Sequence, residues 1–197
     1  MRKKIDYYLS LVSPWSYLGH RRFLEIAEDK TIPIFIYPID FSIVFPSTGG
    51  VPLPQRSQQR QDYRMQELRR WREFLSLPLT LKPKFFPVND ELAATMVIAL
   101  REHDMGKALK FAGACLSAVW VDDRDISDRA TLLEIAKEQS IDGNSLLTRF
   151  EEMRSIRRLD SENAIRSGIF GAPTYVTDGE VFWGQDRLEL LKYKLRK

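Results

Sequence analysis

The sequence predicts an α/β protein in which a layer of strands and helices is interrupted by a long all-helical segment. Three observations lead there. Aliphatic and aromatic runs with strand character fall only near the two ends of the chain, at residues 5–12, 31–39 and 174–183. Between them, roughly a hundred residues carry helical spacing. The 197 residues, 44% of them hydrophobic, suffice for one domain or two small lobes sharing a core.

Each element follows from local signals. Residues 5–12 read as a buried first strand, and Ser13-Pro14 then switches the period, serine as an N-cap and proline in the first helical turn. Tyr17, Leu18, Phe23, Leu24 and Ile26 continue that helix, and residues 31–39 form a second strand. After Asp40, Pro46, Gly49, Gly50, Pro52 and Pro54 mark a loop. Helices are expected at Met65–Leu75, at Leu92 through His103, beyond a separating Gly106 through Leu116, and from Asp128. A fifth, capped by Asp142 or Asn144, contains Leu147, Phe150 and Met153, and a sixth, short one is capped by Ser161. Strands return at Thr174-Tyr175-Val176-Thr177 and Glu180-Val181-Phe182-Trp183, joined by the hairpin dipeptide Asp178-Gly179. A last helix from Asp186 turns Leu188, Leu191 and Leu195 inward. Neither flank completes a sheet alone; joined, they give the inventory of a thioredoxin-like fold with an all-α helical insertion. The expected division is residues 1–42 with 168–197 as a discontinuous thioredoxin-like domain, and 43–167 as the insertion.

Composition narrows the function. The longest nearly apolar run, residues 93–100, is far shorter than the ~18 residues of a membrane span. No small-residue cleavage site follows the basic N-terminus, so a cytoplasmic protein is expected. The net charge of +3 lies wholly between Gln55 and Glu73, where six arginines face three acids. Arg56, Arg60 and Arg64 recur every four residues; they form either a solvated face or one that collects phosphates or carboxylates. Without interleaved aromatics or a broader basic surplus, nucleic acid is not the expected partner. A single cysteine, Cys115, excludes an internal disulfide, a Cys-x-x-Cys pair and a cysteine-rich metal site.

Three constellations can carry chemistry. Ser13-Pro-Trp-Ser-Tyr17 stands at a strand-to-helix junction, where a helix N-terminus stabilises an anion. In thioredoxin-like proteins a Cys-x-x-Cys occupies this place, whereas here both positions are serines, Ser13 and Ser16. Ser13 is therefore either a hydrogen-bond donor to an external thiolate or an N-cap alone. Phe170-Gly-Ala-Pro-Thr174 makes Ala172-Pro173 a candidate cis bond ahead of a strand. Phe182-Trp-Gly-Gln-Asp-Arg187 places Gln185 and Asp186 at a helix start, where an amino acid's charged ends would fit or where Asp186 serves as a cap. His103 and Cys115 are expected in the core, with Trp71 and Trp120.

Together these segments resemble the 2-hydroxychromene-2-carboxylate isomerases and the kappa-class glutathione transferases. Leu68-Arg-Arg-Trp71, Phe86-Pro-Val-Asn89, Ala118-Val-Trp120 and Asp125-Ile-Ser127 extend the likeness over nearly the whole chain. The resemblance implies a thioredoxin-like homodimer that binds glutathione, with Ser13 at the sulfur, Ala172 and Pro173 at the cysteinyl backbone, and Gln185 and Asp186 at the γ-glutamyl end. It further implies a small aromatic hydroxy-keto acid as substrate, met by Gln55 and Arg56 and isomerised by reversible thiolate addition, bond rotation and elimination. A kappa-like transferase and a non-catalytic thioredoxin-like binding protein are the alternatives. Pro46 stands where the isomerases carry a lysine, and Gly49-Gly50 where they carry Gly-Asn.

Overall fold

The computed structural model describes residues 3–29 and 31–196. Strands β1 (Ile5–Leu9), β2 (Ile34–Pro38), β3 (Thr174–Thr177) and β4 (Glu180–Trp183) form one mixed sheet in the order β2-β1-β3-β4. β1 pairs parallel with β2 and antiparallel with β3, so Tyr7 lies opposite both Ile36 and Tyr175. The Tyr7 and Tyr175 rings stack at 5.3 Å, and Phe23 of α1 (Pro14–Asp29) leans on both. Asp178 and Gly179 turn the β3–β4 hairpin with φ of 50° and 76°, the pair of positive angles that matches strand twist.

The helical segment comprises α2 (Phe41–Thr48), α3 (Gln58–Leu75), α4 (Glu91–Arg101), α5 (Met105–Trp120), α6 (Arg129–Glu138), α7 (Gly143–Leu147) and α8 (Phe150–Arg166). α9 (Leu188–Leu195) closes the chain against α1. Residues 93–100 of α4 are buried all round, as a helical stretch apolar on every face must be, and the one hydroxyl among them, Thr95, donates to the Leu92 carbonyl. One hydrophobic cluster joins Ile5, Tyr7 and Leu9 of the sheet to Ala93, Met96 and Val97 of α4 and to Phe111 and Leu116 of α5.

A buried ion pair ties this segment to the sheet. Arg157 of α8, 5% exposed, donates to Asp90 Oδ1 at 2.6 Å and to the Pro38 and Ile39 carbonyls at the end of β2. The other Asp90 oxygen accepts from the Leu11 N–H at 3.2 Å and the Ser10 hydroxyl at 3.3 Å. Both charges are thus surrounded by partners, the condition for keeping them inside.

Several expectations need correction. The stretch after Asp40 is helical: Asp40 caps α2 by accepting from the Ser42 N–H at 2.8 Å, and Pro46 sits inside it. Gly106 lies in the first turn of α5, which Asp104 caps, instead of separating two helices. The expected fifth helix divides into the short α7, capped by Asp142, and α8. Ser161 starts no helix; it is buried within α8, its hydroxyl donating to the Arg157 carbonyl one turn back and accepting from the Asp40 N–H. β1 ends at Leu9, where the chain leaves the ladder for the Ser10–Ser13 turn. His103 is exposed in the α4–α5 turn and not in the core, because α4 stops at Arg101. Cys115 and Trp120 are fully buried as expected.

Candidate active site

The Ser13 N–H donates to the Ser10 carbonyl at 3.1 Å, closing the turn that delivers the chain from β1 into α1. Ser13 Oγ then accepts the Ser16 N–H at 3.2 Å, which makes it the N-cap of α1. That bond uses one lone pair and leaves the hydroxyl proton free to donate. Cap and donor, posed as alternatives by the sequence, are therefore compatible. Ser13 is partly exposed and lines a large cavity, whereas Ser16 is fully buried with its hydroxyl unpartnered. Only the first serine of the pair reaches the cleft.

Neither histidine is placed to take a proton from Ser13. His20 is buried, held between the Tyr7 hydroxyl at 3.2 Å and the Leu109 carbonyl at 3.0 Å, and burial pushes it down to about 4. His103 is in a distant turn and lines neither chamber of the cleft. The thiol of Cys115 is enclosed, and burial pushes its ionisation well above the ordinary range. A thiolate acting beside Ser13 must therefore come from outside the chain. Among the described residues no group of three or more His, Cys, Asp or Glu could hold a metal ion, and no helix is long and apolar enough to cross a membrane.

Two cavities meet beside Ser13. The smaller, about 380 Å³, is floored by Gln185, Asp186 and Arg187, with Trp71 on its wall. The larger, about 750 Å³, runs from Ser13 under α2 and along α3. Trp15, Tyr63, Glu67, Ala172 and Trp183 line both, so they form one cleft with two chambers. The Ala172–Pro173 bond is cis, and the Pro173 carbonyl accepts from the Gly184 N–H at 2.9 Å, which holds the Ala172 segment beside the end of β4. Gly184 has φ of 106°, a value favouring glycine, and so turns the chain from β4 into Gln185.

Gln185 is buried beneath α1, where a Cβ on Gly19 would stand 2.8 Å from the Gln185 Cβ. Its side-chain oxygen accepts from Arg22 at 2.8 Å, a bond that leaves both amide N–H donors uncommitted, and the residue lines the smaller chamber. The Asp186 carboxylate is nearly half exposed at the chamber floor and accepts from Arg187 at 2.8 Å. Asp186 makes no side-chain cap on α9, which starts at Leu188.

The larger chamber is basic and aromatic. Arg56, Arg60 and Arg64 line it, together with Phe41, Phe45 and Phe86. Arg56 stands at the end of a 3₁₀ turn, Leu53–Gln55, just outside α3; Arg60 and Arg64 are one turn apart on α3. The Arg64 guanidinium lies over the Phe86 and Trp120 rings at 5.4 and 5.9 Å. Burial and the Arg56 charge bring Arg64 down to about 10, and burial and Arg60 lower Arg56. The acid in reach, Glu67, is taken by Arg70 at 2.5 Å.

The structure thus brings Ser13, Ala172, Gln185, Asp186 and Arg56 to one cleft, with Pro173 fixing the Ala172 segment. Gln55 is exposed and lines neither chamber. Residues that sequence reasoning did not place there are Trp15, Tyr63, Glu67 and the α2 pair Phe41 and Phe45. For the last two a signal existed in Asp40 as cap, two aromatics four apart, and Gly49 as helix stop. Trp71 packs against the core and also walls the smaller chamber.

Comparison with known proteins agrees with this architecture. A 2-hydroxychromene-2-carboxylate isomerase from Sphingobium xenophagum is 29% identical over 98% of this chain and 97% of its own. Glutathione S-transferase kappa 1 of Caenorhabditis elegans is 23% identical over 95% and 88%. A solved 2-hydroxychromene-2-carboxylate isomerase structure superposes with a TM-score of 0.84 at 22% identity, over 98% of this chain and 94% of that one. The model of the DsbA-like thioredoxin domain matches residues 4–196, nearly end to end, and the chain belongs to that family.

Proposed function

We propose that the protein is a glutathione-dependent isomerase of the 2-hydroxychromene-2-carboxylate isomerase type. The observation that carries this reading is the Ser13 hydroxyl, free to donate at the positive end of α1 where the two chambers meet. Relatives named as isomerases along the full chain support the reaction class, and the kappa-class relative supports glutathione. The site fits that peptide on its own chemistry, because the chain offers no thiol in the cleft while a serine donor and a helix N-terminus await an anion there. Gln185 and Asp186 would hold the γ-glutamyl end, Asp186 accepting from its ammonium, and the Ala172 backbone beside Pro173 would meet the cysteinyl residue.

Glutathione, when bound, supplies a thiolate that adds reversibly to a conjugated carbon of the substrate and leaves once the former double bond has turned. The chain's own part is electrostatic and positional. Ser13 donates to the sulfur and, with the α1 N-terminus, favours its anionic form. Phe41, Phe45 and Phe86 exclude water from the larger chamber, and Arg56 meets the acidic group of the substrate.

Turnover of a 2-hydroxychromene-2-carboxylate with catalytic glutathione, followed by absorbance, tests the proposal. Removing the Ser13 donor by Ser13→Ala is expected to cost ~10²–10³ in rate, and to shift the pH limb of the bound thiol upward. A helix cap alone would cost ~1 kcal/mol of stability and leave the rate unchanged. Conversion without loss of free thiol marks an isomerase; stoichiometric consumption with electrophiles marks a transferase instead.

A further inference from the structure

The proposed reaction needs one positive group for one substrate carboxylate, yet the larger chamber presents three. Among the described residues, Arg56, Arg60 and Arg64 have no carboxylate partner. Arg56 is held by the Val51 carbonyl at 2.8 Å and Arg64 by the aromatic faces below it, so both are fixed without being neutralised. The remaining wall is largely apolar, from Phe41, Phe45, Phe86 and Phe170. A solvated face would spread such charges into water, but here two of the three are partly buried.

We propose that the larger chamber selects a doubly charged acid, an aromatic or conjugated dicarboxylate, with Arg60 and Arg64 joining Arg56 to set that preference. The inference rests on reading this chamber as the substrate side of the proposed isomerase. A monocarboxylate engages one guanidinium as a two-pronged pair and leaves two cations facing each other. A second carboxylate removes that repulsion, while the aromatic wall takes the ring. Burial first, and then the neighbouring arginine charge, lowers the ionisation of Arg56 and Arg64.

The test compares benzoate with phthalate as non-reacting probes, titrated by tryptophan fluorescence or calorimetry, with and without saturating glutathione at low ionic strength. Phthalate is expected to bind about tenfold tighter or more, one added charge-assisted contact being worth at least that factor, and raised salt should narrow the gap. Arg60→Gln, at an exposed position, should reduce the phthalate preference several-fold and leave glutathione affinity alone. Arg64→Gln should do the same, and Arg60→Gln keeps the test intact if Arg64→Gln loosens the Phe86–Trp120 contact. Equal binding of the two acids, or an unchanged preference in Arg60→Gln, overturns the proposal. So does a loss of glutathione affinity larger than the loss for phthalate, which would assign the arginines to a carboxylate of the peptide. A phthalate preference that persists in a protein unable to bind glutathione sustains this inference and defeats the isomerase reading.

Discussion

The smaller and larger chambers meet at Trp15 and Ala172, yet different kinds of sequence signal build them. The floor of the smaller is assembled from punctuation: a proline before β3, a glycine after β4, and the two polar residues that follow it. Each acts on its own backbone, so spacing along the chain is enough to place it. The larger is assembled by packing, with α2 held on α8, α3 on α1, and both lining the cavity with the segment that follows β1. Its shape depends on energies that no short window of sequence displays. Substitutions that separate local from distant support test this contrast.

The largest effect is expected at the distant support. Arg157→Met leaves Asp90 buried beside the Ser10–Leu11 backbone with its charge unmatched, and breaking such a pair typically costs ~3–5 kcal/mol. Denaturant unfolding measures it. Adding Asp90→Leu should recover much of the loss, since the penalty lies in the lone charge and not in the missing pair. Recovery would show that the turn carrying Ser13 needs filled space behind it more than it needs ions.

His20, buried between Tyr7 of β1 and the Leu109 carbonyl of α5, provides the next largest effect. It titrates near 6.5 when unfolded and about 4 when folded. Between those values the unfolded chain binds a proton that the folded chain refuses, so stability rises with pH across that window. The contribution is complete above 6.5 and lost as the pH falls through about 4, amounting to ~3 kcal/mol. Unfolding curves at neutral and mildly acidic pH should show that drop, and His20→Gln should flatten it.

These cases also explain what was legible in the sequence. The hairpin at Asp178-Gly179, the candidate cis peptide at Pro173 and the cap at Ser13 were readable, because each is set by one or two residues. The partners of Asp90 and Arg157 were not, because 67 residues separate them and neither carries a local signature. His103 misled for a related reason: its spacing continues the apolar stripe of α4, but the helix ends two residues earlier at Arg101. α8 was cut in two because Ser161 is a good cap by residue type, whereas its hydroxyl in fact satisfies the Arg157 carbonyl inside the helix. The arginine spacing was visible in the sequence; that Arg56 sits before α3 and still joins Arg60 was not.

A smaller effect probes the punctuated chamber directly. Asp186→Ala should weaken glutathione binding by about 1.5–3 kcal/mol, the range for a hydrogen bond to a charged group. Phthalate and benzoate binding should not change, because Asp186 lines only the smaller chamber. Equal losses for the peptide and the acids would mean that the chambers act as one site, which would break the comparison.

The smallest effect falls on the one piece of local punctuation that serves the packed chamber. Asp40 accepts from the Ser42 N–H and so starts α2, the helix that brings Phe41 and Phe45 over the larger cavity. Replacing a cap of this kind by alanine costs ~1 kcal/mol. The Asp40 N–H remains bound to the buried Ser161 hydroxyl, so the entry to α2 stays anchored while its first turn loosens. Asp40→Ala should therefore leave the global unfolding midpoint nearly in place and weaken aromatic acids by roughly fivefold at most, the binding equivalent of that energy. Glutathione affinity should not move, because neither Phe41 nor Phe45 lines the smaller chamber. If the aromatic acids bind as before, the α2 wall is held by its packing on α8 alone and its cap is incidental to the site.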